Sequence, residues 1–427
     1  MSLNHPLRAA DVSTNRANHK RRLLIEALST YQSLRTDGVN ESAKYISSRS
    51  CSRKSLSNSS NKLMNFLLTV TRLTTRNIRT KHHLSFYKYH STFPTMASKY
   101  IEAHKPSALN GAGDARPTAL QIISDYGRLG TMTDKVFIVT GASAGIGIET
   151  GRALAATGGK VYLTVRNLKK GEEACKSFLE PGRVELLEMD NNSLASVRKA
   201  AKEFSSKSDR LNVIVNNAGI MAAPFAKTED GFESQFGTNH LAHFLFFNLL
   251  KDTLIASSTS EFNSRVVNVS SMGHLNCDVF RGDYGFEKEE YSPWKGYGQS
   301  KTANIHMANE IENRFGSKGL HGLSLHPGGI WTGLQIHVPK DQLEGWKSNA
   351  AFKNIMKSPE QGAATSVLAA VGKDFEGVGR VYMADCAIEP AKIDAKEGQD
   401  GYAAWAFDKE KEAKLWEDSL KMVGLDG

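Results

Sequence analysis

The sequence has little of what marks several classes of protein. Its 427 residues contain only four cysteines, none of which belongs to a CxxC pair: Cys51, Cys175, Cys277 and Cys386. Cysteines so far apart argue against a disulfide scaffold and against a thiolate zinc site. No run of about 18 uninterrupted apolar residues occurs, so no membrane-spanning helix is expected. Internal repeats are absent as well, although an apolar fraction of 40% is typical of a globular chain.

Acidic residues are absent from one long stretch, residues 42–95. The first 95 residues carry 16 Lys and Arg against 4 Asp and Glu, which gives a net charge of +12. The other 332 residues carry 38 against 41, which gives −3. The overall charge of +9 therefore belongs to the N-terminal arm, and the near-neutral remainder offers no compositional support for nucleic-acid binding.

The N-terminal arm, residues 1–95, is poor in apolar residues and uniform in charge sign, which predicts a disordered extension. Its Ser, Thr, Lys and Arg content also resembles a mitochondrial transit peptide, but the acid-free stretch begins only after residue 41. Because Met96 opens a different composition, a cytoplasmic location is expected, with the mitochondrion as the alternative. A third hypothesis has the arm dock onto an anionic membrane or partner.

Residues 96–131 are expected to form a linker and one short helix, since Pro and Gly breakers precede an apolar helical face at 119–126. From residue 132 onward, short apolar runs alternate with helical segments. The candidate strands are 136–139, 160–165, 184–189, 211–215, 265–269, 320–325 and a segment near Val381. The candidate helices between them are 149–157, 169–179, 193–206, 231–252, 297–315 and 359–371. This alternation predicts an α/β fold over 132–427: a single Rossmann-type, doubly wound parallel sheet with helices on both faces.

A glycine-rich turn, Thr-Gly-Ala-Ser-Ala-Gly-Ile-Gly at 140–147, follows the first candidate strand. Glycines here let the backbone approach a pyrophosphate, and the following helix N-terminus supplies N–H groups and a positive dipole end. A tight turn without a ligand is the alternative. The candidate cofactor-binding residues are Gly141, Ser143, Gly145, Ile146 and Gly147.

The second candidate strand ends at Arg166, where a site for NAD would place an acidic residue. A cation suits the 2′-phosphate of NADP(H), so NADP(H) is predicted rather than NAD; the alternative is a merely solvated arginine. Further candidates lie at the carboxyl ends of the next strands, where ligands bind in such sheets. They are Asp190, expected to accept from an adenine amino group, and Asn216, Ala218 and Gly219.

Residues with acid-base chemistry come later in the chain. Tyr297 and Lys301 are four residues apart, which places them on one face of a candidate helix. A phenol titrates near about 10, and a neighbouring ammonium lowers that pKa by favouring the phenolate. Tyr297 can then donate or accept a proton. Ser270 and Ser271, at a strand end, offer a hydroxyl to orient a substrate oxygen. A Tyr-x-x-x-Lys pair alone is common by chance, so the ordered set of motifs carries the inference.

That ordered set resembles the short-chain dehydrogenase/reductases: TGASAGIG, NNAG at 216–219, Asn239, Ser271, Tyr297 and Lys301. The resemblance implies that Tyr297 is the acid/base, that Lys301 lowers its pKa and binds the nicotinamide ribose, and that Ser271 holds the substrate oxygen. It further implies that Asn239 keeps a proton-relaying water and that Ile330 and Thr332 hold the nicotinamide amide. Of the two asparagines in NNAG, Asn216 is expected to face the cofactor and Asn217 to brace the sheet.

The long gap between Ser271 and Tyr297 resembles the branch of retinol dehydrogenases, WW-domain oxidoreductases and protochlorophyllide reductases. This resemblance implies an NADP(H)-dependent enzyme that moves a hydride between nicotinamide and a carbonyl or alcohol of a small lipophilic or aromatic molecule. The rival hypothesis is an NADP(H)-sensing binding protein without catalysis. Trp331 and Trp346 are candidates for a substrate lid or for packing. No metal is expected, and an oligomer is left open.

Overall fold

The computed structural model of the chain describes residues 97–394 and 401–425. The N-terminal arm lies outside them, and with it the hypotheses of disorder, targeting and docking. Across the described ranges, no helix combines the length and the apolar character needed to cross a bilayer.

The predicted doubly wound sheet is confirmed. Its strands are β1 (Val136–Thr140), β2 (Lys160–Val165), β3 (Val184–Glu188), β4 (Val213–Asn216), β5 (Ser264–Val269), β6 (Leu320–Leu325), β7 (Val381–Ala384) and β8 (Ala387–Ile388). They lie in the order β3-β2-β1-β4-β5-β6-β7-β8, and all pairs are parallel except β7–β8. Because the chain order reverses between β1 and β4, a crevice opens at the carboxyl ends of these strands.

The helices of six or more residues are α1 (Ala119–Asp125), α2 (Ile146–Ala156), α3 (Leu168–Cys175), α4 (Leu194–Lys207), α5 (Ala242–Ala256), α6 (Pro293–Phe315), α7 (Lys340–Ser348), α8 (Ala350–Ile355), α9 (Ala364–Val371) and α10 (Lys409–Met422). Alternate strand residues enter two cores, one on each face of the sheet. Phe137 and Val139 of β1 pack on the side of α1, α2 and α9. Val136 and Ile138 pack on the side of α4, α5, α6 and α10.

The helices differ from the sequence expectation in three main ways. Helix α6 begins at Pro293 rather than at 297, because the Ser292 side chain caps it and proline suits its first turn. The helix expected over 231–252 is interrupted by a π-helical turn, Gly237–Leu241, ahead of α5. Helices α7 and α8 are not among the candidate helices, since they are short and bury no residue, which leaves only a few apolar positions to signal them.

The segment before β1 also differs from the expected linker. Tyr100, Ile122, Ile123 and Tyr126 are buried in the same core as β1. Two hydroxyl groups fasten the segment further: Tyr100 donates to Asp125 and Tyr126 donates to Asp374. Residues 97–131 are therefore an integral part of the packed domain.

Candidate active site

The glycine-rich turn packs directly onto the end of β4. Gly141 has a φ of 72°, and a Cβ atom there would lie 2.8 Å from the Ala218 Cα. A Cβ atom at Gly147 would lie 2.4 Å from the Gly141 carbonyl oxygen. Only glycine fits these two positions. Helix α2 then begins at Ile146 without a side-chain cap, which leaves the amides of its first turn to an external anion.

Two charged candidates lie along the neighbouring strand ends. Arg166 is exposed immediately after β2, and Lys169 and Lys170 are exposed beside it. Asp190, after β3, is half-buried, and its carboxylate accepts from the Asn192 amide over 2.9 Å. The end of β2 therefore presents positive charge to solvent, as a phosphate site requires.

The structure corrects the expectation for Asn216. This residue is still inside β4 and pairs in register with Asn268 of β5. Its buried amide donates to the Asn268 Oδ1 over 2.8 Å, so the side chain is engaged by the neighbouring strand β5. Asn217 braces β1 by donating to the Thr140 carbonyl over 2.7 Å.

The structure brings Tyr297, Ser271 and Lys301 together at the carboxyl end of β5. Tyr297 is 4% exposed, and its hydroxyl is hydrogen bonded to that of Ser271. The Lys301 Nζ lies 5.6 Å from the centroid of the Tyr297 ring and donates to the Val269 carbonyl over 3.1 Å. The predicted reactive side chains therefore converge on one point.

The two neighbouring serines have different environments. Ser270 is buried, and its hydroxyl donates to the Lys301 carbonyl over 2.8 Å. Ser271 is half-buried, accepts from the Gly273 amide over 3.0 Å and is hydrogen bonded to Tyr297, so its hydroxyl faces the reactive cluster rather than the backbone of α6. Ser271 is thus the serine that can reach a substrate oxygen.

Burial dominates the acid-base properties of this cluster. It raises the pKa of Tyr297 to about 12, and the hydrogen bond from Ser271 offsets only part of that rise. Burial also lowers the pKa of Lys301 to about 8. The spacing of Tyr297 and Lys301 predicted that the ammonium would lower the pKa of Tyr297, whereas burial is the largest influence on that pKa in the structure. Tyr297 is therefore a neutral phenol at physiological pH, ready to donate a proton.

Asn239 lies in the π-helical turn before α5, the type of helical irregularity that is frequent at functional sites. Its Oδ1 accepts from the Ile220 amide over 2.8 Å, and its Nδ2 donates to the Ile220 carbonyl and to the Ser300 hydroxyl, each over 2.9 Å. Ser300 in turn donates to the Tyr297 carbonyl over 2.8 Å. Asn239 thus ties the loop after β4 to the helix that carries Tyr297, and both of its amide hydrogens are used.

Ile330 and Thr332 lie on the loop after β6 that crosses the glycine-rich turn. A Cβ atom at Gly145 would lie 3.3 Å from the Thr332 Cγ2. Gln335 fixes this loop, because its Nε2 donates to the Ile330 carbonyl over 2.8 Å and its side chain completes a capping box with Thr332. Sequence reasoning missed Gln335, although Thr-x-x-Gln is the sequence signature of a capping box.

Aromatic rings form a row that leads away from Tyr297. The Trp294 ring centroid lies 6.2 Å from that of Tyr297 and 6.0 Å from that of Trp346. Trp346 stacks on Phe352 at 5.5 Å, and Phe352 lies 5.9 Å from Trp331. Sequence reasoning missed Trp294 and Phe352. We call residues 333–355, which include α7 and α8, the lid; with Trp294 it forms an apolar wall beside Tyr297.

Comparisons with known proteins agree with this geometry. Residues 135–343 match the short chain dehydrogenase family. The short-chain dehydrogenase/reductase prx1 of Penicillium roqueforti is 59% identical over 327 residues, which cover 77% of this chain and 95% of that protein. Retinol dehydrogenase 13 of Mus musculus is 36% identical over 301 residues, covering 69% and 85%. A crystal structure of an uncharacterized protein from Mycobacterium paratuberculosis matches with a TM-score of 0.54 at 31% identity, covering 73% and 99%.

Proposed function

Because the chain belongs to the short-chain dehydrogenase/reductase family, in the branch of the retinol dehydrogenases, we propose that it is an NADP(H)-dependent enzyme. It interconverts a carbonyl and an alcohol on a small lipophilic or aromatic molecule. The observation that carries this proposal is the convergence of Tyr297, Ser271 and Lys301 beside the uncapped start of α2.

The crevice fits a dinucleotide. Side chains are excluded at Gly141 and Gly147, and the first amides of α2 suit a pyrophosphate. When bound, a nicotinamide dinucleotide supplies or accepts the hydride. Arg166, exposed at the end of β2, is the proposed partner of a 2′-phosphate. The full set proposed to hold the cofactor is Gly141, Ser143, Gly145, Ile146, Gly147, Arg166, Asp190, Ala218, Gly219, Tyr297, Lys301, Ile330 and Thr332.

In the reducing direction, Tyr297 donates its phenolic proton to the carbonyl oxygen while the carbonyl carbon gains the hydride, and an alcohol forms. Ser271 orients the same oxygen through its hydroxyl hydrogen. Lys301, close to the ring, stabilises the phenolate left behind. Oxidation of an alcohol runs the same proton transfer backwards.

The test measures NADPH oxidation by the full-length protein with aldehydes, aliphatic and aromatic ketones, quinones and retinoids. Tyr297→Phe removes the proton donor and keeps the ring, so turnover should fall by about 10²–10⁴. Tyr162→Phe is the matched control, because this buried tyrosine of β2 packs on Phe204, away from the cluster. Full turnover by Tyr297→Phe would overturn the assignment. NADPH binding without turnover of any compound would favour the sensing protein.

A further inference from the structure

The chain before α1 reaches the far end of the lid. We call residues 109–116 the strap. The Gly111 amide donates to the Asn354 carbonyl over 2.9 Å. The Arg116 guanidinium donates to the carbonyls of Ile355 and Met356 over 2.7 and 2.6 Å. These carbonyls end α8, where no further helical N–H is available to them, and the cation also suits the negative end of the helix dipole. The strap therefore caps the last helix of the lid.

Arg116 is buried and saturated with partners. Its side chain is 2% exposed, and its Nε donates to the Asp114 carboxylate over 2.8 Å. Burial alone would raise the pKa of Asp114, but hydrogen bonds from Arg116 and from backbone amides hold that pKa below its usual value. Asp114 therefore remains a carboxylate. Removal of the Arg116 side chain would take the charged partner from this carboxylate, which keeps its bonds from backbone amides and from Gln361, and would leave the Ile355 and Met356 carbonyls without their donor.

The other side of the strap is fastened to the domain by Gln361. This buried residue lies just after the lid, in the short helix Pro359–Gly362. Its Nε2 donates to the carbonyls of Asp114 and Arg116 over 3.1 and 3.0 Å, and its Oε1 accepts from the Gly113 amide over 2.9 Å. The strap is therefore held at Gln361 and holds α8 through Arg116.

The lid has few other means of staying in place. Neither α7 nor α8 contains a buried residue. The base of the lid is closed at Lys357, whose amide donates to the Gly329 carbonyl over 2.8 Å and whose buried ammonium pairs with Asp385 over 2.6 Å. Val338 of the lid is buried in the cluster around Tyr297, and the aromatic row adds further contacts. At the last carbonyls of α8 themselves, the side chain that holds the helix is that of Arg116. A segment with so little buried surface opens at low free-energy cost unless its ends are fixed.

We propose that Arg116 is a positioning residue. By capping α8 it keeps Phe352 and Trp346 of the lid next to Trp294, which lies beside Tyr297. It thereby sets the affinity for the carbonyl substrate without touching substrate or cofactor. The effect on substrate rests on the proposed function, whereas the attachment of the lid to the strap does not.

The test combines amide hydrogen exchange with kinetics on the full-length chain. In Arg116→Gln, exchange across residues 340–356 should become at least about tenfold faster, because hydrogen bonds from a charged donor to buried carbonyls are lost. Exchange in the sheet and affinity for NADPH should not change. The KM for a carbonyl compound reduced by the wild-type protein should rise more than kcat falls.

Two further variants make the result specific. Arg128→Gln is the matched control, because Arg128 donates to the Val371 carbonyl at the end of α9, outside the lid. Its lid exchange should stay at the wild-type rate. Arg116→Lys keeps the charge and some donors, so it should loosen the lid less than Arg116→Gln does, and it carries the test if the glutamine variant does not fold.

Each outcome decides one of the two claims, the attachment of the lid or its effect on substrate affinity. If the lid of Arg116→Gln exchanged its amide hydrogens at the wild-type rate, the proposed attachment of the lid to the strap would be overturned. Arg116→Lys decides the same question if only that variant folds. A loosened lid with an unchanged KM would overturn the positioning of substrate. If no carbonyl compound is reduced by any variant, the proposed function fails, while the exchange rates still decide whether the strap holds the lid.

Discussion

A Cβ atom added at Gly147, in the glycine-rich turn, would lie 2.6 Å from the Asn217 Nδ2, whereas one added at Gly345, in the lid, meets no atom of the described residues within 4 Å. The two regions flank one crevice and are built differently. The turn packs closely against the ends of β1 and β4. The lid is exposed along α7 and α8 and is fastened at its ends.

The two regions are proposed to have different functions, and their packing differs accordingly. Acid-base chemistry and the proposed cofactor contacts need atoms held to within fractions of an ångström, and dense packing supplies that constraint. An apolar substrate needs a surface that can close over it, which a thinly packed segment with aromatic side chains provides. The contrast in packing between the turn and the lid can be tested by changing one region and measuring both.

The largest effect is expected when the pH is lowered, which should destabilise the packed region. Burial lowers the pKa of His104, and in five further histidines it lowers the pKa to about 3 (His240 and His326) or about 4 (His243, His274 and His306). None of these lies in the lid. Their unfolded pKa is about 6.5, so below that pH the unfolded chain binds protons that the folded protein does not.

The free energy of unfolding should therefore fall as pH drops from about 6.5 toward 4, with a slope that approaches about 1.4 kcal/mol per pH unit for each histidine. Thermal unfolding between pH 7.5 and 5 measures it. In His306→Gln the free energy of unfolding should fall less steeply with pH, by the contribution of one histidine, because the variant lacks one titrating group. A Tm independent of pH over this range would contradict the burial argument.

The second prediction concerns the glycine-rich turn. Gly147→Ala must push its Cβ atom against the Gly141 carbonyl, 2.4 Å away, so the turn has to shift. Affinity for NADPH should fall by about 10- to 100-fold, the equivalent of a typical overpacking penalty, in a fluorescence titration. Gly333→Ala, where a Cβ atom meets none of the described residues within 4 Å, is the control and should bind NADPH normally. Equal affinities of the two variants for NADPH would contradict the claim that the turn is more closely packed than the lid.

The same contrast decides what the sequence could predict. The strands and the reactive cluster were predictable, because apolar runs, glycines and the spacing from Tyr297 to Lys301 are local signals. The direction of the Asn216 side chain was not, since it depends on the register with Asn268 in another strand. The pKa of Tyr297 depends on how deeply α6 is buried, which residue spacing does not reveal.

The lid and the strap left still weaker signals. Helices α7 and α8 bury no residue, and each has so few apolar positions that a helical period is hard to recognise. Arg116 meets Met356 across 240 positions of the chain, and nothing near position 116 indicates that contact. The glycines of the strap were read as breakers of a linker, yet Gly111 and Gly113, with φ of 85° and 87°, allow the turns that bring it onto the lid.

A third prediction concerns the rim of the packed region, at Arg166. Arg166→Asp replaces an exposed cation at the end of β2 with an anion, which should repel a 2′-phosphate. The ratio of kcat/KM with NADPH to that with NADH should fall by about tenfold or more. Arg281→Asp makes the same charge change at another exposed position and should leave the ratio unchanged. Equal shifts in both variants would point to net charge rather than to a phosphate contact.

The smallest effect is expected in the lid. Gly345 lies inside α7, and a Cβ atom there is free of contact with the described residues. Alanine in a helix interior is favoured over glycine by about 0.5–1 kcal/mol, so Gly345→Ala should slow hydrogen exchange across α7 by about two- to fivefold. Affinity for NADPH should stay the same. The substitution that disrupts the turn at Gly147 would then stabilise the lid. Faster exchange in Gly345→Ala would mean that the lid is packed as closely as the turn, because only a hidden contact at that position could reverse the sign.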